Sequence, residues 1–192
     1  MAVKKIPEFL TDEEQNKLLN VFNIRYISSH RNKTMIKTFL DSGLRLAEAI
    51  NLKWQHMNLM TGQLKVVDGK GKKDRILWIN EDTVELLRVW KDRQSIEHGK
   101  VEYVFTSRTG NRLIDRDVRE MVAKYSIKAG IIKKISPHSL RHTFASDLLR
   151  ATKNIVLVQK ALGHADLSST MIYTHIVDDE LEIALKQLRT VK

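Results

Sequence analysis

A single tight turn does most to restrict how this chain can fold. Asp68-Gly69-Lys70-Gly71 is flanked by residues 63–67 and 75–79, two short runs rich in Val, Ile, Leu and Trp. Glycine at two turn positions permits the positive φ of a tight reversal, and β-branched and aromatic flanks suit a pleated surface. The segment reads as a β-hairpin. The sequence on either side follows the helical period instead. With only two prolines and eight glycines in 192 residues, little interrupts those helices. The expected class is mostly α with a small antiparallel β-sheet (α+β).

Capping signals place the helices. Thr11 and Glu14 form a capping box that opens a helix running through about Val21. A second helix is expected over 32–42, closed by Gly43, and a short third over 47–52. Helices at 81–94 and 115–129 follow the hairpin, with a short strand at 103–105 between them. Ser136 caps the next helix, with Pro137 at its first position. Asn154 caps another, which ends at Gly163, and a further helix begins near Ser168 and carries Tyr173. Over 178–188, Leu181, Ala184, Leu185 and Leu188 share one apolar stripe. No long linker or repeat divides the chain. One domain over 1–192 is expected, with 1–10 as a linker and 178–192 as a tail helix.

Charge narrows the class of partner. Lys and Arg total 33 against 23 Asp and Glu, a formal net charge of +10. Such an excess favours a polyanion, through phosphate neutralisation and counterion release; the plainer alternative is charge that serves solubility alone. Cysteine is absent, which excludes disulfides and thiolate metal sites and fits a reducing cytoplasm. No run approaches eighteen apolar residues, and the first ten residues lack a signal peptide's apolar stretch, so no membrane partner is expected.

Four clusters carry candidate chemistry. His138 and Arg141 lie three apart in the first turns of a helix, where free N–H groups and the dipole favour an anion such as phosphate. The plainer reading is a capped surface helix with an incidental histidine. Arg45 and Glu48 are also three apart and read as a local ion pair, worth roughly 0.3–0.5 kcal/mol if exposed. Lys70, Lys72 and Lys73 crowd the hairpin tip, either as a solvated turn or as a contact to a DNA backbone. Tyr173, taken alone, reads as a packed aromatic with a tethered hydroxyl, and His164 as a cation at a helix end. His138 and His142 have zinc-helix spacing, but Ser139 stands where the HExxH pattern needs glutamate, so no metal is expected.

Their order is more telling than any one of them. Gly43-Leu44-Arg45-Leu46-Ala47-Glu48 precedes a lysine-tipped hairpin. Then come His138-Ser139-Leu140-Arg141-His142, Leu162-Gly163-His164 and Thr170-Met171-Ile172-Tyr173-Thr174-His175. This succession, across 9–188, resembles the tyrosine recombinase (phage integrase) family, and within it the Xer, phage and transposon integrases.

The resemblance implies the tyrosine recombinase catalytic-domain fold and a role for each matching residue. Tyr173 matches the nucleophile, which attacks a DNA phosphate to form a 3′-phosphotyrosine and release a 5′-hydroxyl. Arg45 and Arg141 match the phosphate clamp, a role suited to a planar guanidinium that stays charged and binds two oxygens at once. Glu48 would orient Arg45. Lys70 matches the hairpin lysine that protonates the leaving oxygen, with Lys72 and Lys73 as rivals. His138 matches the histidine that assists proton transfer with the nucleophile, and His164 a later hydrogen-bond donor to phosphate. Lys72, Lys73 and Arg75 are expected to contact DNA. His142 and His175 also recur in the motifs and read as structural.

Transesterification keeps the phosphodiester energy, so no cofactor is expected. The implied partners are double-stranded DNA, three further copies of the chain in a tetramer on DNA, and accessory DNA-bending proteins. A monomer is expected without DNA. The tail helix would dock on a neighbouring protomer or on its own domain. The expected location is the cytoplasmic nucleoid of a prokaryote, phage host or mobile element. Relatives carry an additional N-terminal core-binding domain, which is read here as absent. Two alternatives stand beside a site-specific recombinase. One is a type IB topoisomerase-like nicking-resealing enzyme, and the other a non-catalytic DNA-binding regulator.

Overall fold

The computed structural model describes residues 8–67, 74–164, 170 and 173. Its first helix, α1 (Asp12–Asn20), opens on the expected capping box: Thr11 Oγ1 accepts from Glu14 N, and Glu14 Oε2 accepts from Thr11 N at 2.8 Å. The second, α2 (Ile27–Ser42), starts five residues before position 32. Its N-cap, Tyr26, makes no side-chain cap bond, so no local signal announces the start. Packing sets it instead, because most of the helix is buried against α4 (Glu81–His98) and α6 (Pro137–Thr152). Its buried hydroxyls are satisfied one turn back: Thr34 donates to His30 O at 3.0 Å and Thr38 to Thr34 O at 2.8 Å.

Gly43 closes α2 at φ 60°, as expected of a left-handed cap. A Cβ there would lie 2.2 Å from Phe144 Cδ1, so the close approach of α6 also requires glycine. The chain then enters α3 (Leu46–Ile50), two residues shorter at its end than expected.

The hairpin is present as β2 (Gln63–Val66) and β3 (Arg75–Trp78), antiparallel, with Gln63 opposite Trp78 and Val66 opposite Arg75. A two-residue strand, β1 (Met57–Asn58), pairs with the other edge of β2 and was too short to signal itself. Leu64, Val66 and Leu77 face the core. Arg75 has the same strand parity as Leu77, so it too points inward.

Helix α4 outruns the expected end at 94. Gln94 is buried yet satisfied: Nε2 donates to Thr106 Oγ1 at 2.8 Å, and Oε1 accepts from Trp54 Nε1 at 2.8 Å. Those bonds, with Trp90 Nε1 donating to Val104 O at 2.8 Å, fix 103–105 as a buried loop rather than a strand. The backbone pairs there only through an isolated bridge from Lys53 to Tyr103.

Helices α5 (Asp115–Lys128), α6 and α7 (Ile155–Leu162) follow the sequence reading, with Ser136, Asn154 and Gly163 at the expected caps. A main core joins α1 to α6 and the sheet. A second cluster, Ala145, Leu149, Val158 and Leu162, is built by α6 and α7 and encloses the ring of Tyr173. The helix expected from 168 lies outside the described residues except for Thr170 and Tyr173, which are joined by a bond from Tyr173 N to Thr170 O of 3.0 Å. The tail at 178–188 lies wholly outside them. Among the described residues no helix is long and apolar enough to cross a membrane.

Candidate active site

Buried positive charge organises the site. Arg141, on α6, is only 4% exposed, so its guanidinium must be satisfied by protein groups. Nη1 donates to Gly43 O at 2.6 Å and Nη2 to Leu162 O at 2.7 Å. Arg75 Nε donates to Ala161 O at 2.9 Å, and Arg45 Nη2 to Gly163 O at 3.3 Å. Three consecutive carbonyls at the end of α7 thus each bind a different arginine. A helix end leaves such carbonyls unpaired, and its negative dipole favours cations.

Gly163 makes the arrangement possible. It lies at φ 63°, and a Cβ there would sit 3.0 Å from both Cδ and Nη1 of Arg75. Gly163→Ala should destabilise the fold by about 1–2 kcal/mol, from the left-handed penalty alone. Displacement of Arg75 would add to this. Chemical denaturation would show it, and a loss below about 0.5 kcal/mol would mean that Arg75 yields freely.

One carboxylate answers all three cations. Glu48 accepts from Arg75 through both oxygens, at 2.9 and 2.8 Å, and from Arg45 Nη1 at 2.9 Å and Arg45 N at 2.7 Å. Arg141 Nη1 lies 3.9 Å away. Burial pushes the Glu48 pKa up, but the Arg75 and Arg45 bonds and charges prevail and hold it at about 2. Burial and the neighbouring Arg45 lower Arg141 to about 10, which leaves it charged at neutral pH. Arg75, expected with Lys72 and Lys73 to contact DNA, is instead turned inward onto Glu48. Its position on the inward face of β3 was the available signal.

The histidines stand beside this array. His164 Nε2 lies 3.1 Å from Arg141 Nη2, and its Nδ1 lies 3.0 Å from Thr170 Oγ1. Burial and then Arg141, Arg45 and Arg75 push it down to about 4, so it is neutral at pH 7. No direct hydrogen bond joins His138 to Tyr173. His142, read from sequence as structural, stands between them: its Nδ1 bonds the Tyr173 hydroxyl and its Nε2 lies 2.8 Å from His138 Nε2. Burial, then His138, Arg141 and His164, lowers His142 to about 4. Burial holds the Tyr173 hydroxyl well above the usual phenol range, and Arg141 offsets part of that rise.

Arg45, His138, Arg141 and His164 line one cleft of about 550 Å³, with Leu44, Ala47 and Pro137. Asp115 and Arg119 of α5 complete its wall. Arg119 is exposed there, one turn after Asp115, and carried no motif that could single it out. Lys70, Lys72, Lys73 and His175 lie outside the described residues. Among the described residues no group of three or more His, Cys, Asp or Glu side chains could hold a metal ion.

Known proteins are similar to this chain in sequence and in fold. The profile of the phage integrase family matches residues 8–180. Tyrosine recombinase XerC of Thermodesulfovibrio yellowstonii is 36% identical over 179 residues, covering 90% of this chain and 59% of that protein. The chain therefore spans well under two thirds of that relative's length. The crystal structure of XerA recombinase superposes with a TM-score of 0.83 at 32% identity, over 99% of this chain and 68% of that one. XerH site-specific recombinase, in a post-cleavage complex with a palindromic difH substrate, gives 0.81 at 31%, over 94% and 53%.

Proposed function

Because the chain belongs to the phage integrase family, we propose that it cuts and rejoins double-stranded DNA as the catalytic part of a site-specific recombinase. One observation carries the reading: the cleft that presents Arg45, Arg141, His138 and His164 is linked through His142 to a buried tyrosine hydroxyl. A cationic cleft suits a phosphodiester, and a phenol at its back suits a nucleophile. The net charge of +10 supports a DNA partner.

In this reading Tyr173 Oη attacks phosphorus in line, and the bond from phosphorus to the 5′-oxygen breaks. The 3′-phosphate stays on the tyrosine and the strand leaves as a 5′-hydroxyl. Arg45 and Arg141 hold the non-bridging oxygens, and their charge counters the extra negative charge of the transition state. Glu48 and Arg75 keep that pair in place. His164 Nε2 accepts from Arg141 Nη2 and so steadies that guanidinium against the phosphate, and Lys70 protonates the leaving oxygen. Attack by a free 5′-hydroxyl on the phosphotyrosine reseals DNA without a cofactor. Exchange between two duplexes needs four cuts and one tyrosine for each, so the proposed assembly is four copies of the chain. Its proposed setting is the prokaryotic cytoplasm.

The test is a library of nicked duplexes with randomised cores, in which cleavage releases a short strand and traps the intermediate. The expected result is a protein–DNA band that survives SDS and is lost in Tyr173→Phe. No band from the folded protein would overturn the assignment.

A further inference from the structure

Two imidazoles and a phenol form a row from the interior to the cleft. Tyr173 and His142 are buried, at 3% and 6% exposure, whereas His138 is exposed on the cleft wall. Hydrogen bonds join Tyr173 Oη to His142 Nδ1 and His142 Nε2 to His138 Nε2, 2.8 Å away. The row has a polarity. Burial keeps the phenol protonated and, with His138, Arg141 and His164 facing it, keeps His142 neutral. Tyr173 therefore donates to Nδ1. The His142 proton sits on Nε2 and points at His138, whose own proton is left on Nδ1.

We infer that His142 is a catalytic residue that takes the Tyr173 proton at Nδ1 while passing its Nε2 proton to His138. The Tyr173 O–H bond breaks as the bond from Oη to phosphorus forms. The His142 Nε2–H bond breaks as the His138 Nε2–H bond forms. His142 ends neutral with its tautomer reversed, and His138 ends as an imidazolium at the cleft. The electrons of the broken phosphorus–oxygen bond leave with the 5′-oxygen, which its own proton donor neutralises. Resealing runs the shift backwards. The relay answers a problem of electrostatics. A cation retained on His142 would be buried beside Arg141, where desolvation and like charge both oppose it. Burial, Arg141 and Arg119 also disfavour a cation on His138, but its exposed ring brings that charge to solvent and to the proposed phosphate.

This holds only if Tyr173 is the nucleophile, as proposed above. His142→Asn tests it, because the amide oxygen can still accept the Tyr173 hydroxyl bond but cannot pass a proton on. With tyrosine at 173, His142→Asn should slow single-turnover cleavage by about 10²-fold, at the lower end of general-base effects, with DNA binding unchanged. With difluorotyrosine at 173, whose phenol ionises far more readily, the same substitution should cost about fivefold or less, since a weaker base then suffices. Equal losses with both nucleophiles, or no loss with tyrosine, would overturn the relay.

A DNA-free measurement separates its failure from that of the function. In ¹⁵N spectra of the histidines, Tyr173→Phe should shift the tautomer signals of both His142 and His138. If His138 does not respond, the row is not coupled, whatever the cleavage assay shows. If wild type never cleaves but both signals respond, the coupling stands and the nucleophile assignment falls.

Discussion

Replacing Arg141 with alanine is expected to slow single-turnover formation of the covalent DNA complex by about 10²–10³-fold, the usual cost of deleting a donor to a transition-state oxyanion. Three of its five N–H groups are committed, to Gly43 O, Leu162 O and His164 Nε2, which aims the fork and leaves the others for the proposed phosphate. Arg141→Lys should recover little of the rate, since an ammonium keeps the charge but not the planar fork. The alanine variant also strands two buried carbonyls, so its fold must be checked by circular dichroism before rates are compared. A loss below tenfold in a folded variant that still binds DNA would remove Arg141 from the clamp.

Glu48→Gln should cost about 3–5 kcal/mol of stability at neutral pH, the range for removing one partner from a buried charge pair. Three guanidinium groups would lose the carboxylate they share. The effect should fade in acid. With the folded pKa held at about 2 against an ordinary 4.5, Glu48 stabilises fully above pH 4.5 and loses that contribution as pH falls towards 2. By linkage the shift is worth roughly 3 kcal/mol, in line with the mutational figure. His142 and His164, both lowered to about 4, add an acid loss that begins near pH 6.5. Because both are retained in the variant, that loss affects both proteins. Urea denaturation from pH 7 to 2.5 should therefore show the difference between wild type and variant narrowing below pH 4.5. A difference that stays constant, or starts below about 1 kcal/mol, would mean the arginines do not depend on Glu48.

What could be read from sequence was local. Thr11, Ser136 and Asn154 cap their helices through bonds spanning two or three residues, and Gly43 and Gly163 end theirs in the left-handed conformation, so those boundaries were legible. The start of α2 and the end of α4 were not, because packing and the Gln94 amide network fix them across the chain. The site divides the same way. Arg45, Glu48, His138, Arg141, His164 and Tyr173 fall in short motifs. Arg75 and Arg119 do not, and are brought to the others only by the sheet register and the placing of α5. His142 lay in plain view, but its role depends on a contact with a residue 31 positions later, which no local pattern records.

The end of α7 changes how any measurement on these arginines must be read. Arg45, Arg75 and Arg141 are held by neighbouring carbonyls of one helix turn and by one carboxylate, so none has a private environment. Thermodynamically they are one coupled unit. Free energies from single substitutions should not add, with coupling of about 0.5–3 kcal/mol expected between residues in one network. A rate lost at Arg75, which does not line the cleft, would then report on the geometry of Arg45 and Arg141. Double-mutant cycles among the three measure that shared dependence directly.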